Sequence, residues 1–349
     1  MLRLAVIGAT GAVGRECLGL IDRGAAPPID RVVPVASHAS TQHDLRSELG
    51  LSIPVAPLTT VDLLDLGALD VAIFSAGAEI SRREASRIAA AGVLVVDNSS
   101  AFRMRPDVPL VVPQVNPHTV ERRPPANIVA NPNCSTIQLV RALHPLHAAA
   151  GLDQVVVSTY QAASGGGRRG LGELATNSAR LLSDPAAPVE PPGRFGQPLA
   201  FNLVPQIGPR DDAGHAHEEH KLAREPGKIL ELPDLRVSAT AVRVPVFNCH
   251  SMAAYVRLHR PMSTEAVEDV LARAPGLRVY RGHEEPPYPM PRFVAADEDR
   301  CLVHVGRVRV DPNDARAVWL WIVADNLWVG AALNALEIVG QAVKHGWLG

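Results

Sequence analysis

The stretch Gly8-Ala9-Thr10-Gly11-Ala12-Val13-Gly14 constrains this chain more than any other. It follows the apolar run Leu2-Arg3-Leu4-Ala5-Val6-Ile7 and precedes Cys17, Leu18 and Ile21, which recur at the spacing of a helix face. The glycines therefore stand in a strand-to-helix turn. The first glycines permit a tight turn and close approach of backbone to a pyrophosphate, and the third lets helix pack on strand. Glycines can serve packing alone in such turns, but strand, helix and N-terminal position together favour a dinucleotide site.

The next apolar run, Arg31 to Ala36, ends in Ser37-His38-Ala39-Ser40, where an NAD-binding fold usually offers a carboxylate to the ribose 2'-hydroxyl. No Asp or Glu stands there. Donors from Ser37, His38 and Ser40 suit a 2'-phosphate better, which points to NADP, although two serines in a polar loop also fit a turn. Val71 to Ser75 and Gly92 to Val96 repeat the pattern, ending in Ala76-Gly77-Ala78 and Asp97-Asn98-Ser99-Ser100. Such alternation predicts a parallel sheet, with the Asp97 to Arg103 loop on the same carboxyl edge as Gly8 to Gly14 and Cys134.

Ile128 to Ala130 end another strand, Asn131-Pro132 break it, and Ile137, Val140 and Leu143 open a helix face. Cys134 should lie in that helix's first turn, where unpaired N–H groups and the helix dipole favour thiolate. It reads as a nucleophile or as a buried structural cysteine beside an Asx-Pro turn.

At 349 residues the chain is long enough for two domains, and 47% hydrophobic with 20% charged residues is ordinary globular composition. A net charge of -2 gives no basic footprint for nucleic acid, and no apolar run reaches membrane-spanning length. Small molecules are the expected partners. The N-terminus lacks the regions of a secretory signal, so a cytoplasmic protein is expected. Cys17, Cys134, Cys249 and Cys301 are far apart and read as reduced thiols.

Beyond Cys134, the strand Val155 to Tyr160 leads into Gln161-Ala162-Ala163-Ser164-Gly165-Gly166-Gly167. Asp184 to Pro198 is proline-rich and reads as a surface arm. Leu235 to Val246 and Ala253 to Leu258 read as a strand pair joined through Phe247-Asn248-Cys249-His250-Ser251; Ala317 to Ala324 is a strand, and a last helix spans about Trp328 to Lys344. His215, His217 and His220 do not have HExxH spacing, and no metal site is expected.

These motifs carry a resemblance over nearly the whole chain. Gly8 to Gly14, Asp97-Asn98-Ser99-Ser100-Ala101-Phe102-Arg103, Asn131-Pro132-Asn133-Cys134-Ser135-Thr136, Tyr160 to Gly165, Arg243-Val244-Pro245-Val246 followed by His250, and Asp325-Asn326-Leu327 with Gly330-Ala331-Ala332 stand in one order. The chain resembles the aspartate-β-semialdehyde dehydrogenase family. That resemblance implies NADPH-dependent reduction of β-aspartyl phosphate through a cysteine thioester, with release of phosphate, on the route to lysine, methionine and threonine. It implies an α/β fold with a Rossmann-type domain, residues 1–133 completed by 327–349, and an α/β catalytic and dimerisation domain, residues 134–326. A homodimer or dimer of dimers is expected.

By the same resemblance Cys134 is the nucleophile, His250 handles protons and Gln161 positions the reacting groups. Arg243 clamps the substrate carboxylate through its planar fork. Glu218 faces the ammonium, and Arg103, with Lys221 and Asn133, holds the phosphate. Gly8, Thr10, Gly11, Ala12, Val13, Gly14, Ser37, Ser40, Ser75, Gly77, Ser164, Gly165 and Asn326 are the expected cofactor contacts. The chain departs from the family pattern at Ala39, where arginine is usual, at Cys249, where glycine is usual, and at Trp328-Val329, where basic residues stand. Two other readings compete: an N-acetyl-γ-glutamyl-phosphate reductase, whose cysteine motif usually has Gly where Asn133 stands, and a non-catalytic paralogue kept for an interaction.

Overall fold

The structure, a computed structural model, describes residues 1–40, 42–188, 191 and 193–348. In chain order its first part holds β1 (Leu2–Ile7), α1 (Ala12–Asp22), β2 (Ile29–Val35), α2 (Leu45–Leu49), β3 (Val71–Phe74), α3 (Ala78–Ala90), β4 (Leu94–Asp97) and β5 (Ile128–Ala130). Then come α4 (Cys134–Ala150), β6 (Leu152–Gln161), α5 (Gly167–Ser183), α6 (His217–Ile229), β7 (Arg236–Arg243), β8 (His250–Leu258), α7 (Thr264–Ala272), β9 (Leu277–Val279), α8 (Pro291–Ala296), β10 (Val303–Asp311), β11 (Asp314–Ala324) and α9 (Leu333–Lys344). The chain divides into two units, one of Met1–Asn133 with Gly330–Gly349, the other of Cys134–Val329.

The first unit is a parallel sheet in the order β2-β1-β3-β4-β5. Its strands are short and apolar on both faces: β3 and β4 are buried throughout. That is the pattern of a sheet covered by helices on both sides. Residues 54–59 continue the sheet beyond β2, where Val32 and Val35 make isolated parallel bridges to Val55 and Thr59. Pro54 and Pro57, which lack N–H donors, keep this segment from becoming a regular strand. With it counted, the sheet has the six-strand order of a dinucleotide-binding fold.

The second unit is a mixed sheet, β7-β6-β8-β11-β10-β9. Here β7 and β8 are not the pair that the sequence suggests. β6 lies between them, parallel to β7 and antiparallel to β8. The crossover through α5 and α6 returns the chain parallel to β6, and the short link after β7 then crosses to the other side of β6. The alternating β6, β8 and β11 leave one face half-buried, with Tyr160 against Trp321 (ring centroids 5.6 Å apart) and Tyr255 against Trp319 (5.3 Å).

Two further expectations change in detail. The last helix does run from Trp328 to Lys344, but its first turn, Trp328–Ala332, is a π turn, and regular α-helix starts at Leu333. The proline-rich arm turns back on the fold, since Phe195 packs beside the cluster of Ala163, Leu174, Leu199, Ala200 and Val204. Val189, Glu190 and Pro192 lie outside the described residues.

Gly14 shows how tightly the first helix sits. A Cβ there would lie 2.4 Å from the Gly8 carbonyl oxygen and 2.7 Å from Ala9 Cα, both backbone atoms with no freedom to swing away. Gly14→Ala is expected to lower stability by about 1–3 kcal/mol, as overpacking does. Thermal denaturation checks it; an unchanged melting temperature would show that α1 can lift off β1 at no cost.

Candidate active site

The carboxyl edge of the first sheet carries a cavity of about 490 Å³ lined by Gly8, Thr10 and Gly11 after β1, Val35 to His38 after β2, and Ser75 and Ala76 after β3. Gly8 has φ +90°, and a Cβ on it would meet the Ser75 carbonyl at 2.7 Å, so these two loops touch through backbone alone. Gly77, also at φ +90°, precedes α3, and Ser37 and Ser40 face each other, Oγ to Oγ at 3.4 Å. Asn98 donates from Nδ2 to Ser75 Oγ at 2.8 Å, while its buried Oδ1 has no hydrogen-bond partner among the described residues. A glycine cradle beside an unpartnered buried amide oxygen fits a nicotinamide dinucleotide. Thr60, Val61, Asp62, Ile80 and Arg83 also line this cavity. None of these was legible in the sequence, because residues 60–63 show neither period and Arg83 looks like an ordinary exposed helix charge.

Arg103 is in the same unit and buried. It donates from Nε to the Asn131 carbonyl at 3.0 Å and from Nη2 to the Asn98 carbonyl at 2.8 Å. Its guanidinium is thereby fixed between the ends of β4 and β5. Asn131 is in turn held by Asn334 of α9, which donates from Nδ2 to Asn131 Oδ1 at 2.6 Å and to the Val111 carbonyl at 2.9 Å. Asn133, buried, is the last residue before the second unit.

In the second unit Cys134 is the first residue of α4 and half-buried. The ends of β6, β7 and β8 supply the other groups. Gln161 pairs with Arg243 in the parallel ladder, and Ala324 pairs with His250 across β11 and β8. His250 Nδ1 accepts the Ala162 N–H at 3.0 Å, and the Ala162 carbonyl accepts Arg243 Nη1 at 2.7 Å. Gln161 is clamped, donating from Nε2 to Glu218 Oε1 and receiving the Thr159 hydroxyl at Oε1, each at 3.1 Å. Lys221 donates to Glu218 Oε2 at 2.8 Å. Glu218 and Lys221 thus form a pair one turn apart on α6, and Glu218 is 5% exposed. Ser164 and Asn326 are joined at 3.0 Å. Gly165 lies against the cluster: a Cβ there would be 2.7 Å from Arg243 Nη1 and 3.4 Å from His250 Nε2.

The electrostatics of this cluster follow from burial. His250 is fully buried, which pushes its pKa down to about 3; the Arg243 charge adds to the shift and Glu218 opposes it. Because Nδ1 accepts the Ala162 N–H, the neutral ring carries its proton on Nε2, and that atom has no partner among the described residues. Burial also lowers the Arg243 pKa, against the stabilising charges of Glu218 and Cys134. The Arg243 guanidinium lies 5.4 Å from the Phe195 ring centroid, a contact that the sequence reading did not foresee. His220 pairs with Asp211 at 2.7 Å, and among the described residues no set of His, Cys, Asp or Glu side chains could hold a metal ion. No helix among them is long and apolar enough to cross a membrane.

Residues 3–123 match the family model of the semialdehyde dehydrogenase NAD binding domain, and residues 143–329 that of the semialdehyde dehydrogenase dimerisation domain. The chain belongs to the aspartate-semialdehyde dehydrogenase family. It is 40% identical to aspartate-semialdehyde dehydrogenase 2 of Vibrio cholerae over 98% of this chain and 97% of that protein. The crystal structure of aspartate semialdehyde dehydrogenase II from Vibrio cholerae complexed with ASA superposes with TM-score 0.91 at 39% identity, covering 99% of this chain and 98% of that one. The structure of the enzyme with NADP from Candida albicans matches at TM-score 0.74 and 25% identity, covering 99% of this chain and 98% of that one.

Two of the family departures have a physical reading. Cys249 has φ +68°, a left-handed conformation that explains why glycine is usual before the histidine. Its side chain is buried against Val294 and Val323. Trp328 lies under the Arg300 guanidinium, 3.8 Å from the ring centroid, and Arg300 also pairs with Asp325 at 2.7 Å. Cys249→Ala loses the buried sulfur and keeps the strain, whereas Cys249→Gly loses the sulfur and relieves it. The alanine variant is therefore expected to be less stable than the glycine variant by about 1 kcal/mol, read by urea unfolding. The opposite ranking would mean that the backbone here relaxes without glycine.

His250 gives a pH dependence with a definite sign. A histidine in the unfolded chain titrates near 6.5 and in the folded protein near 3, so the unfolded state takes up the proton first as pH falls. Stability from this group is fully present above pH ~6.5 and is lost toward pH 3, by up to about 1.4 kcal/mol per unit. His250→Asn should flatten the fall in unfolding free energy between pH 6.5 and 4. Equal slopes in variant and wild type would show that this imidazole is not held neutral.

Proposed function

We propose that this chain is an NADP-using aspartate-semialdehyde dehydrogenase that works through a Cys134 thioester, releasing or consuming phosphate according to direction. The observation that carries the reading is the buried pairing of opposite charges beside Cys134 in the second unit. Arg243 and Glu218 interact electrostatically there, and a small substrate bearing one carboxylate and one free ammonium complements both.

In the direction of reduction, the Cys134 thiolate attacks the carbonyl carbon of β-aspartyl phosphate, the carbon–oxygen bond to phosphate breaks, and a thioester remains on sulfur. A bound nicotinamide cofactor would supply the hydride that reduces that carbon. His250 presents its Nε2–H to the substrate oxygen as negative charge grows there. Released aldehyde leaves Cys134 as thiolate again. Arg243 binds the substrate carboxylate with the fork left after its bond to Ala162, and Glu218 takes the ammonium. Gln161, clamped between Thr159 and Glu218, keeps the substrate in line. Arg103, already oriented by two carbonyls, receives the phosphate, with Asn133 and Lys221 contributing. Ser164, Gly165 and Asn326 would be the residues of the second unit that hold the nicotinamide end. Gly8 to Gly14 and Gly77 would cradle the cofactor's pyrophosphate, and Ser37, Ser40 and Ser75 would donate hydrogen bonds to it.

Glu218 separates this reading from an N-acetyl-γ-glutamyl-phosphate reductase, whose acylated nitrogen carries no charge to meet a buried carboxylate. The matched dimerisation domain supports a homodimer, and the half-buried aromatic face around Tyr160 and Trp321 is the surface that we propose a second copy covers.

Phosphate-dependent oxidation of aspartate semialdehyde, assayed against N-acetylglutamate semialdehyde, tests the function; preference for the acetylated aldehyde would refute it. Within that assay Cys134→Ala should lose activity altogether. Arg243→Lys should lower kcat/KM for the aldehyde about 10²-fold, and Arg103→Leu should raise KM for phosphate at least roughly tenfold. An Arg103 variant with unchanged phosphate dependence would place the anion site elsewhere.

A further inference from the structure

The acidic residue that β2 lacks comes from another strand. Residues 54–59 run parallel to β2, with Val32 N–H donating to the Pro54 carbonyl at 3.1 Å, Ala56 N–H to the Val32 carbonyl at 2.9 Å and Ala36 N–H to the Thr59 carbonyl at 3.0 Å. The carboxyl end of this rudimentary strand therefore reaches the same sheet edge as the Gly8 loop. There the chain enters a single 3-10 turn, Val61–Leu63, and Asp62 lines the cavity together with Gly8, Gly11, Ser37, His38 and Ser75. Asp62 Oδ2 stands 3.9 Å from His38 Nε2. His38 is in the loop that follows β2, the place where dinucleotide-binding folds meet the ribose 2' position. The carboxylate is 64% exposed and lines the cavity; its own backbone N–H and the Thr60 hydroxyl hold it below the usual carboxylate range, so it is charged at neutral pH.

Two arginines of this unit have acidic partners of their own. Arg83, the arginine among the lining residues, donates from Nε to Glu84 Oε1 at 2.8 Å. Arg15, at the start of α1, pairs with Glu48 at 2.5 Å. Ala39 supplies no cation where the family has one.

We propose that Asp62 is the residue that sets dinucleotide selectivity: its carboxylate accepts the ribose hydroxyls of NAD and opposes the 2'-phosphate of NADP. The two cofactors are thereby brought close in affinity, with the NADP preference held down from within the pocket. The proposal rests on the dinucleotide reading of the cavity and deepens it. Direct binding separates the two. Isothermal titration of the full chain with NADP and with NAD, at about 50 mM salt where exposed charges are least screened, gives both dissociation constants for wild type, Asp62→Asn and Asp62→Ala.

Asp62→Asn removes the charge and keeps an acceptor, so NADP should bind roughly three- to tenfold tighter with NAD little changed. Asp62→Ala should show the same gain for NADP and a loss for NAD of similar size. Both gains should shrink as salt rises. If wild type binds dinucleotide and the NADP-to-NAD ratio stays within about twofold in both variants, Asp62 is not the discriminating group and the proposal is overturned alone. If wild type binds neither dinucleotide, the reading of the cavity falls and the proposal with it.

Discussion

The backbone of one residue, Ala162, holds the chemistry of the second unit in register. The N–H of Ala162 fixes the His250 ring through Nδ1, and its carbonyl fixes the Arg243 guanidinium. A single backbone residue at the end of β6 thus sets both the tautomer of an imidazole and the aim of a cation that arrive on two different flanking strands. This arrangement needs β6 to sit between β7 and β8. Were those two strands paired directly, Arg243 and His250 would have no residue between them to share. The mixed sheet order is therefore a condition for the cluster, and the parallel pairing of Gln161 with Arg243 carries it one step further toward Glu218.

Much of this was legible in the residues themselves. The first unit announces itself through apolar runs that each end in small residues, because a buried parallel strand has no polar face to disguise it. Cys134 at the head of a helix followed from Pro132 and the spacing of Ile137, Val140 and Leu143, all local signals. What local signals could not carry was insertion. Alternation in β7 and β8 is the same whether the strands pair with each other or with a third strand placed between them, since period alone records which face is buried and nothing about neighbours. The π turn at Trp328–Ala332 was hidden for a similar reason: its apolar residues satisfy a helix of either pitch. Phe195, separated from any periodic segment, reaches the Arg243 guanidinium through a fold-back that proline-rich composition does not foretell.

Departures from a family pattern are informative when the backbone is seen. The left-handed φ of Cys249 shows that glycine is usual there for conformational reasons, and that this chain keeps the conformation with a side chain buried among Val294 and Val323. Trp328 replaces a charge with a ring, yet Arg300 lies on that ring and is tied to Asp325, which also accepts the Leu327 and Trp328 N–H groups. Positive charge is still delivered to this turn, from β10's approach instead of from the turn itself.

The division of the chain has a consequence for its synthesis. The second unit is continuous in sequence, from Cys134 to Val329, whereas the first is interrupted by it and needs Gly330–Gly349 to finish. A ribosome adds about 5–20 residues per second, so the open edge of the first unit waits on the order of ten seconds for the segment that bears Asn334. During that interval Asn131 lacks the amide that later anchors its side chain, and the strand end leading to Cys134 is held by its backbone bonds to Arg103 and Asp97. The nascent chain can complete its inserted unit first. The last anchor of the nucleophile's approach is thus among the final parts to be made, so a half-made chain carries Cys134 before Asn334 can hold the loop leading to it.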